Sequence, residues 1–295
     1  MVSETIKNEL GPVLIWGAGA VGGTIGAALA RAGIQVQMAD VNIEHCHACS
    51  EIGLKITGPV ETYLQQVPCV TPKNLTGTFH RIILAVKGPS TAKAVNDLVK
   101  YLPDNGYVLS AQNGLAEHYL SQRIGVKRVM GGFVNFGADW LGAGEILYGN
   151  RGAVVIGEVD GGIQMRTREM QKLLQCFDPN VLVTDNIMGY LWGKMCYGAM
   201  LFATALTGES MAKNFADPSR ISTLASIGKE VIATAVAEGV SPESFDGFQP
   251  LAVMPDSKPK DFERCMTELS EFNSKSAKSH SGIHRDLAVR KRATE

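Results

Sequence analysis

The chain has 295 residues, 45% of them apolar, 19% charged and 7% aromatic, and 28 Lys plus Arg against 29 Asp plus Glu leave a net charge of −1. At roughly 100–200 residues per domain this length suggests two domains with ample material for a core. The charge balance excludes a strongly basic nucleic-acid binder and a supercharged acidic chain.

The 32 Gly and 12 Pro are ordinary for a globular protein, and six Cys are too sparse for a disulfide scaffold. A folded, reduced, cytoplasmic protein is expected. The first apolar run, residues 12–16, follows Glu4, Lys7 and Glu9 rather than a basic leader. It breaks at once into glycines, so it reads as a buried parallel strand and not as a signal peptide. Next come Gly17-Ala18-Gly19-Ala20-Val21-Gly22-Gly23, an Ala-rich helix over 24–32 that stops before Gly33, a second strand over 34–39, and Asp40.

This order of strand, G-x-G-x-x-G, helix, strand and acid has a mechanical basis. Gly17 allows a tight turn, Gly19 lets a pyrophosphate approach the backbone, and Gly22 permits close packing of helix on strand. The helix start offers unpaired N–H groups and partial positive charge to the phosphates. Asp40, 18 residues after Gly22, is placed to accept both ribose hydroxyls and to repel a 2′-phosphate. The expected cofactor is therefore NAD(H), held by Gly17, Ala18, Gly19, Ala20, Val21, Gly22 and Asp40.

His45-Cys46-His47-Ala48-Cys49 lies where the following helix should start. It lacks the second ligand pair of a zinc site, so no metal is expected. Further strands are predicted over 81–86, 106–110, 127–134, 153–156 and 181–183, with a helix over 91–101. Strands alternating with helices predict a mostly parallel, doubly wound Rossmann-type sheet, with ligands outside the strands' carboxyl ends. Lys87 and Asn113 fall just past two such ends.

After about residue 185 the pattern turns helical. Helices are predicted over 187–206, 220–238, 261–278 and 286–295, with a long Pro-containing connection over 241–259. The expected domains are a dinucleotide-binding unit over 1–185 and an all-helical substrate and catalytic unit over 186–295. The 187–206 stretch is too rich in Gly and Ala, with Lys194 at its centre, to be a bilayer span, so it reads as a core helix. Desolvation would bring the Lys194 ammonium toward the working pH, fitting it to protonate a carbonyl oxygen. Arg290-Lys291-Arg292 reads as a solvated helix face with no nucleic-acid role.

Nearly the whole chain resembles the ketopantoate reductase family, the 2-dehydropantoate 2-reductase-like proteins. The resemblance runs through I-W-G-A-G-A-V-G-G, G-L-K-I-T-G at 53–58, A-V-K at 85–87, Q-N-G at 112–114, L-W-G-K-M at 191–195 and the closing S-G-I-H-R-D-L-A-V-R-K-R-A-T-E. It implies a dinucleotide-binding domain followed by a helical one, and reduction of a 2-oxo acid to a 2-hydroxy acid with a nicotinamide cofactor. By resemblance Lys194 is the general acid, and Asn113 lies near nicotinamide and substrate. Glu295 helps bind the substrate and orient the lysine, Lys87 lies on the cofactor side, and Ser281 lies near a substrate-contacting serine.

The sequence departs from the family pattern in four places. Asp40 stands where members usually carry a basic residue suited to NADP(H). Gly198 and Phe202 replace asparagines four and eight residues after the lysine. The stretch over 286–295 is one residue longer than usual, and family chains continue for several helical turns past the T-E, so a truncated form is expected. The reading is an NAD(P)-dependent 2-oxo acid reductase whose substrate contacts are Lys194, Gly198, Phe202, Ser281 and Glu295. Its rivals are a true NADPH-dependent 2-dehydropantoate 2-reductase and a non-catalytic dinucleotide sensor. The partner is a small 2-oxo or 2-hydroxy acid, without nucleic acid or membrane, and a homodimer is compatible with it.

Overall fold

The computed structural model describes residues 12–254 and 256–294. The chain divides into two compact units, Met1–Gln112 with Ala116–Ile187, and Asn113–Leu115 with Met188–Glu295.

The first unit is a doubly wound sheet. β1 (Val13–Trp16) is entirely buried, followed by α1 (Ala20–Arg31) and β2 (Val36–Ala39). The eight-stranded sheet has the order β12-β11-β8-β7-β6-β1-β2-β5. Here β5 is Cys69–Val70, β6 Arg81–Leu84, β7 Tyr107–Ser110, β8 Val129–Val134, β11 Val154–Glu158 and β12 Leu182–Val183. Its pairs are parallel except β8 with β11.

Alternation along β1 sends side chains to opposite layers, as the two-residue period of a strand requires. Val13 and Ile15 join Ile25 and Leu29 of α1 and Leu173 of α5 (Met165–Leu174). Leu14 and Trp16 join Val95 and Leu98 of α3 (Thr91–Leu98) and Leu120 of α4 (Ala116–Ile124).

The register pairs Trp16 with Ala39 and with Leu84, and Leu84 with Ser110. The segments beginning at Gly17, Asp40, Ala85 and Ala111 therefore leave one edge of the sheet. Backbone bonds carry this alignment one residue further, from Gly17 N–H to Ala39 O and from Ala85 N–H to Trp16 O, both at 2.8 Å.

A second sheet has the order β4-β3-β10-β9, from β3 (Leu54–Thr57), β4 (Tyr63–Gln65), β9 (Gly137–Gly142) and β10 (Glu145–Asn150). The sequence reading has no counterpart for it. Ala143 and Gly144 turn the β9–β10 hairpin, with Gly144 at φ +75°, and Leu54 and Ile146 pack against α1 so closely that a Cβ on Gly23 would meet Ile146 at 2.6 Å.

The second unit is helical, with α6 (Ile187–Thr204), α7 (Met211–Ala216), α8 (Ile221–Ala237), α9 (Pro259–Ser274) and the short α10 (Gly282–His284). Its core includes the rings of Tyr197, Phe215, Phe245 and Phe248. The Tyr197 hydroxyl donates to Asn273 Oδ1 at 3.2 Å, and burial pushes it up to about 12.

The terminal helix expected over 286–295 is not formed. A π-type turn over Arg285–Val289 follows α10, and no regular helix runs beyond it among the described residues. Asp286 is fully buried, with Arg290 and Arg292 both reaching its Oδ1 at 3.0 Å. Folding the chain back to pair that buried carboxylate breaks the helical path, with Lys291 at φ +51°. Arg290 and Arg292 thus pair with a buried acid, and the run is not the helix face expected, although Lys291 and Arg292 remain exposed.

Candidate functional site

The glycine loop joins β1 to α1 as its residues dictate. Gly17 sits at φ +98°, where a side chain would also strike Val86 at 2.9 Å. A Cβ on Gly22 would come to 2.0 Å from Gly17 O, so this glycine permits the loop to close on the helix. At Gly19 a Cβ would meet nothing within 4 Å. Gly19 is the α1 N-cap and has no side chain to satisfy the first amides of the helix, including those of Ala20, Val21 and Gly22. An open approach, unfilled by any side chain, to a helix start with unpaired N–H groups suits the pyrophosphate of a dinucleotide.

Asp40, at the end of β2, is tied to this loop. Its Oδ2 accepts from Ala18 N–H at 2.8 Å and its Oδ1 from Asn42 N–H at 2.9 Å. A carboxylate offers about four lone-pair positions, so capacity remains for a ligand hydroxyl.

Beneath the loop lies a buried group that sequence reasoning did not assign to the site. His45 Nε2 contacts Ala18 O at 2.8 Å, and Gly144 N–H donates to its Nδ1 at 3.0 Å. Cys46 donates to Asp40 O at 3.3 Å, and Cys69 Sγ lies 3.4 Å from Cys46 Sγ. Hydrogen bonding with Cys69, and then with His45, brings Cys49 down to about 6, while the Cys69 thiol is pushed up by its hydrogen bonds to Cys46 and Cys49. No group of three or more His, Cys, Asp or Glu among the described residues is arranged to hold a metal.

The A-V-K and Q-N-G segments join the same edge. Lys87 is exposed just beyond β6, as N-cap of a short 3₁₀ turn. Gln112, buried, donates from Nε2 to Val86 O and to Thr91 Oγ1, each at 2.7 Å. It fixes the segment that carries Lys87 to the segment that leads to Asn113. Asn113 is exposed, and the short piece Asn113–Leu115 groups with the helical unit.

In the helical unit, α6 carries Lys194, Gly198 and Phe202 along one stripe, each step of four residues drifting by about 40°. Lys194 and Gly198 are half-buried, a Cβ on Gly198 would meet nothing within 4 Å, and Phe202 is 43% exposed. The 241–259 connection follows a different side of α6. Glu243 N–H donates to Gly189 O at 3.0 Å, and a Cβ on Gly193 would lie 2.6 Å from Glu243 O. Ser281 is buried and caps α10, its Oγ accepting from His284 N–H at 3.1 Å. Glu295 lies outside the described residues.

A family model described as ketopantoate reductase PanE/ApbA matches residues 13–161. The chain belongs to the ketopantoate reductase family. The matched span lies in the first unit, and likeness to members of the family continues through the second. The 2-dehydropantoate 2-reductase of Streptococcus pyogenes serotype M3 is 25% identical over 285 residues, covering 96% of this chain and 87% of its own. That of Pyrococcus abyssi is 29% identical over 187 residues, 62% of this chain and 59% of its own.

Solved structures at lower identity share the fold. A D-mandelate dehydrogenase with NADH and anilino(oxo)acetate gives a TM-score of 0.81 at 22% identity, covering 96% of this chain and 87% of that one. The 2-dehydropantoate 2-reductase from Geobacter metallireducens gives 0.79 at 21% identity, covering 96% and 89%. Ketopantoate reductase family members are NAD(P)-dependent oxidoreductases acting on 2-oxo and 2-hydroxy acids, and this chain is an oxidoreductase of that family. No helix among its described residues is long and apolar enough to cross a membrane.

Proposed function

We propose that the protein is an NAD(H)-preferring reductase of 2-oxo acids with apolar or aromatic tails, with Lys194 as proton donor. The observation that carries this reading is the α6 stripe, where Lys194 is followed by the open Gly198 and the exposed ring of Phe202. Neither residue can hydrogen-bond a substrate hydroxyl, and a hydroxyl buried there without a partner would lose roughly 1–3 kcal/mol. An apolar tail would gain about 25 cal/mol per Å² removed from water. A fold shared with an NADH-bound D-mandelate dehydrogenase is in keeping with an aromatic tail.

The residues in the glycine loop fit a nicotinamide dinucleotide, which when bound supplies or takes the hydride. Gly17 to Gly22 would hold the pyrophosphate on the α1 amides. Asp40, oriented by Ala18 and Asn42, would accept from the adenosine ribose and repel a 2′-phosphate. Lys87 and Asn113 would approach the cofactor from neighbouring segments. Lys194 would hold its proton for the carbonyl oxygen of the 2-oxo acid and stabilise the alkoxide charge as a cation. Ser281 and Glu295 complete the proposed substrate contacts. Six cysteines with none in a disulfide suit the reducing cytoplasm.

Titration of the unmodified protein with both reduced cofactors tests the choice between them. NADH should bind at least as tightly as NADPH, and Asp40→Ala should narrow the gap while weakening both, because Ala18 loses its acceptor. Clearly tighter NADPH binding would instead assign Lys87 to a 2′-phosphate and favour an NADPH-dependent 2-dehydropantoate 2-reductase.

A further inference from the structure

We propose that His45 is a positioning residue for the cofactor, setting the direction in which the glycine loop presents its Gly19 amide to the pyrophosphate. This rests on the reading above that the loop holds a dinucleotide. His45 lies on a short helix, α2 (Ile43–His47), and is 1% exposed. Its Nδ1 faces two donors, Gly144 N–H at 3.0 Å and the Trp140 indole N–H at 3.4 Å. A nitrogen facing two donors carries no proton, so Nε2 carries it and donates to Ala18 O at 2.8 Å, the nearer of its two contacts, with Cys49 Sγ at 3.6 Å.

Ala18 is therefore held at both polar atoms of its backbone, its N–H by Asp40 and its C=O by His45. The described chain has no cis peptide bond. In a trans peptide the C=O of one residue and the N–H of the next point in opposite directions. Drawing the Ala18 carbonyl down onto the buried imidazole turns the Gly19 N–H away from it. Gly19 is the N-cap of α1, and a Cβ there would meet open space. Without His45 the Ala18–Gly19 peptide loses the bond that fixes its rotation, and the amide is no longer pre-aimed. The second sheet has a role in this arrangement, because its β9–β10 turn supplies Gly144, which fixes the imidazole from the far side.

The test compares His45→Gln, His45→Asn and the unmodified protein, by NADH dissociation constant and by the division of effects between KM and kcat. Glutamine places an amide N–H near the position of Nε2 and should keep NADH binding within about twofold of normal. Asparagine can still accept from Gly144 but is too short to reach Ala18 O, and should weaken NADH binding about tenfold. Its kcat at saturating NADH should stay within about twofold, and KM for the 2-oxo acid should not move.

A measurement on the unmodified protein stands apart from the folding of any variant: the Gly19 amide proton resonance should shift on adding NADH. Equal NADH affinity for the two variants, a loss appearing in kcat alone, or a Gly19 amide unmoved by NADH would overturn the proposal. Failure of the unmodified protein to bind either NADH or NADPH would overturn the dinucleotide reading itself, and the role of His45 with it.

Discussion

Lys194 is the one charged side chain along the 18 residues of α6, and the proton step is assigned to it alone. Lys194→Ala should cost on the order of 100-fold or more in kcat, the usual loss for a general acid that also offsets developing charge. NADH affinity should hardly change, because the glycine loop and Asp40 belong to the other unit. Near-normal turnover on the best substrate would make the lysine structural. The places of Lys194 on a core helix, of the glycine loop between β1 and α1 and of Asp40 at the end of β2 are legible in the sequence because each lies in a local pattern. His45 and Gln112 were not legible as supports of the loop. The partners of His45 stand 27 and 99 residues away, and those of Gln112 stand 26 and 21 residues away. Nothing in the local spacing announces such contacts, and the His45 to Cys49 segment reads in sequence only as the start of a helix without a complete metal-ligand set.

Among the elements, α1 and its N-cap offer two glycines, Gly22 and Gly19, whose substitutions should separate stability from binding. Gly22→Ala would force a Cβ to 2.0 Å from Gly17 O, so the loop must open, and thermal unfolding should show a loss of about 1–3 kcal/mol from overpacking. Gly19→Ala meets no atom within 4 Å, so the unfolding midpoint should hold while NADH affinity falls, because the methyl group stands where the pyrophosphate approaches. Equal unfolding midpoints for the two variants would contradict this. On α6, Phe202→Asn should move kcat/KM toward hydroxylated 2-oxo acids by restoring a hydrogen-bonding group, and an unchanged substrate ranking would show that Phe202 does not touch the tail.

Seven of the eight strands of the main sheet are readable as short apolar runs between turn signals, and the core helix over Ile187–Thr204 as a long one, whereas the two-residue edge strand β5 is not. The second sheet is not readable in the same way, because β3 and β4 are short and partly exposed and β3 pairs with β10 across a long separation, Ile56 with Ile146 for instance. The terminal helix expected over 286–295 is absent among the described residues for a related reason. Its residues suit a helix locally, but the buried Asp286 draws Arg290 and Arg292 back to itself, a tertiary demand that local propensity does not contain.

At the scale of the whole molecule, the change from alternating strands and helices to helices alone is a change of architecture, and the proposed function assigns the two units different tasks. A parallel sheet aligns the ends of β1, β2, β6 and β7 and so gathers the loop residues suited to a dinucleotide. A helix can place a lysine, a gap and a ring along one stripe, as α6 does. The family fixes the reaction type, whereas the proposed cofactor and substrate choice rests on this chain's own Asp40, Gly198 and Phe202. The central claim is therefore one of substrate choice, and kcat/KM for ketopantoate against branched-chain and aromatic 2-oxo acids, at saturating NADH, tests it most directly. The best apolar or aromatic substrate should exceed ketopantoate by about tenfold or more, about 1.4 kcal/mol of discrimination. A ketopantoate value tenfold above all the others would contradict it.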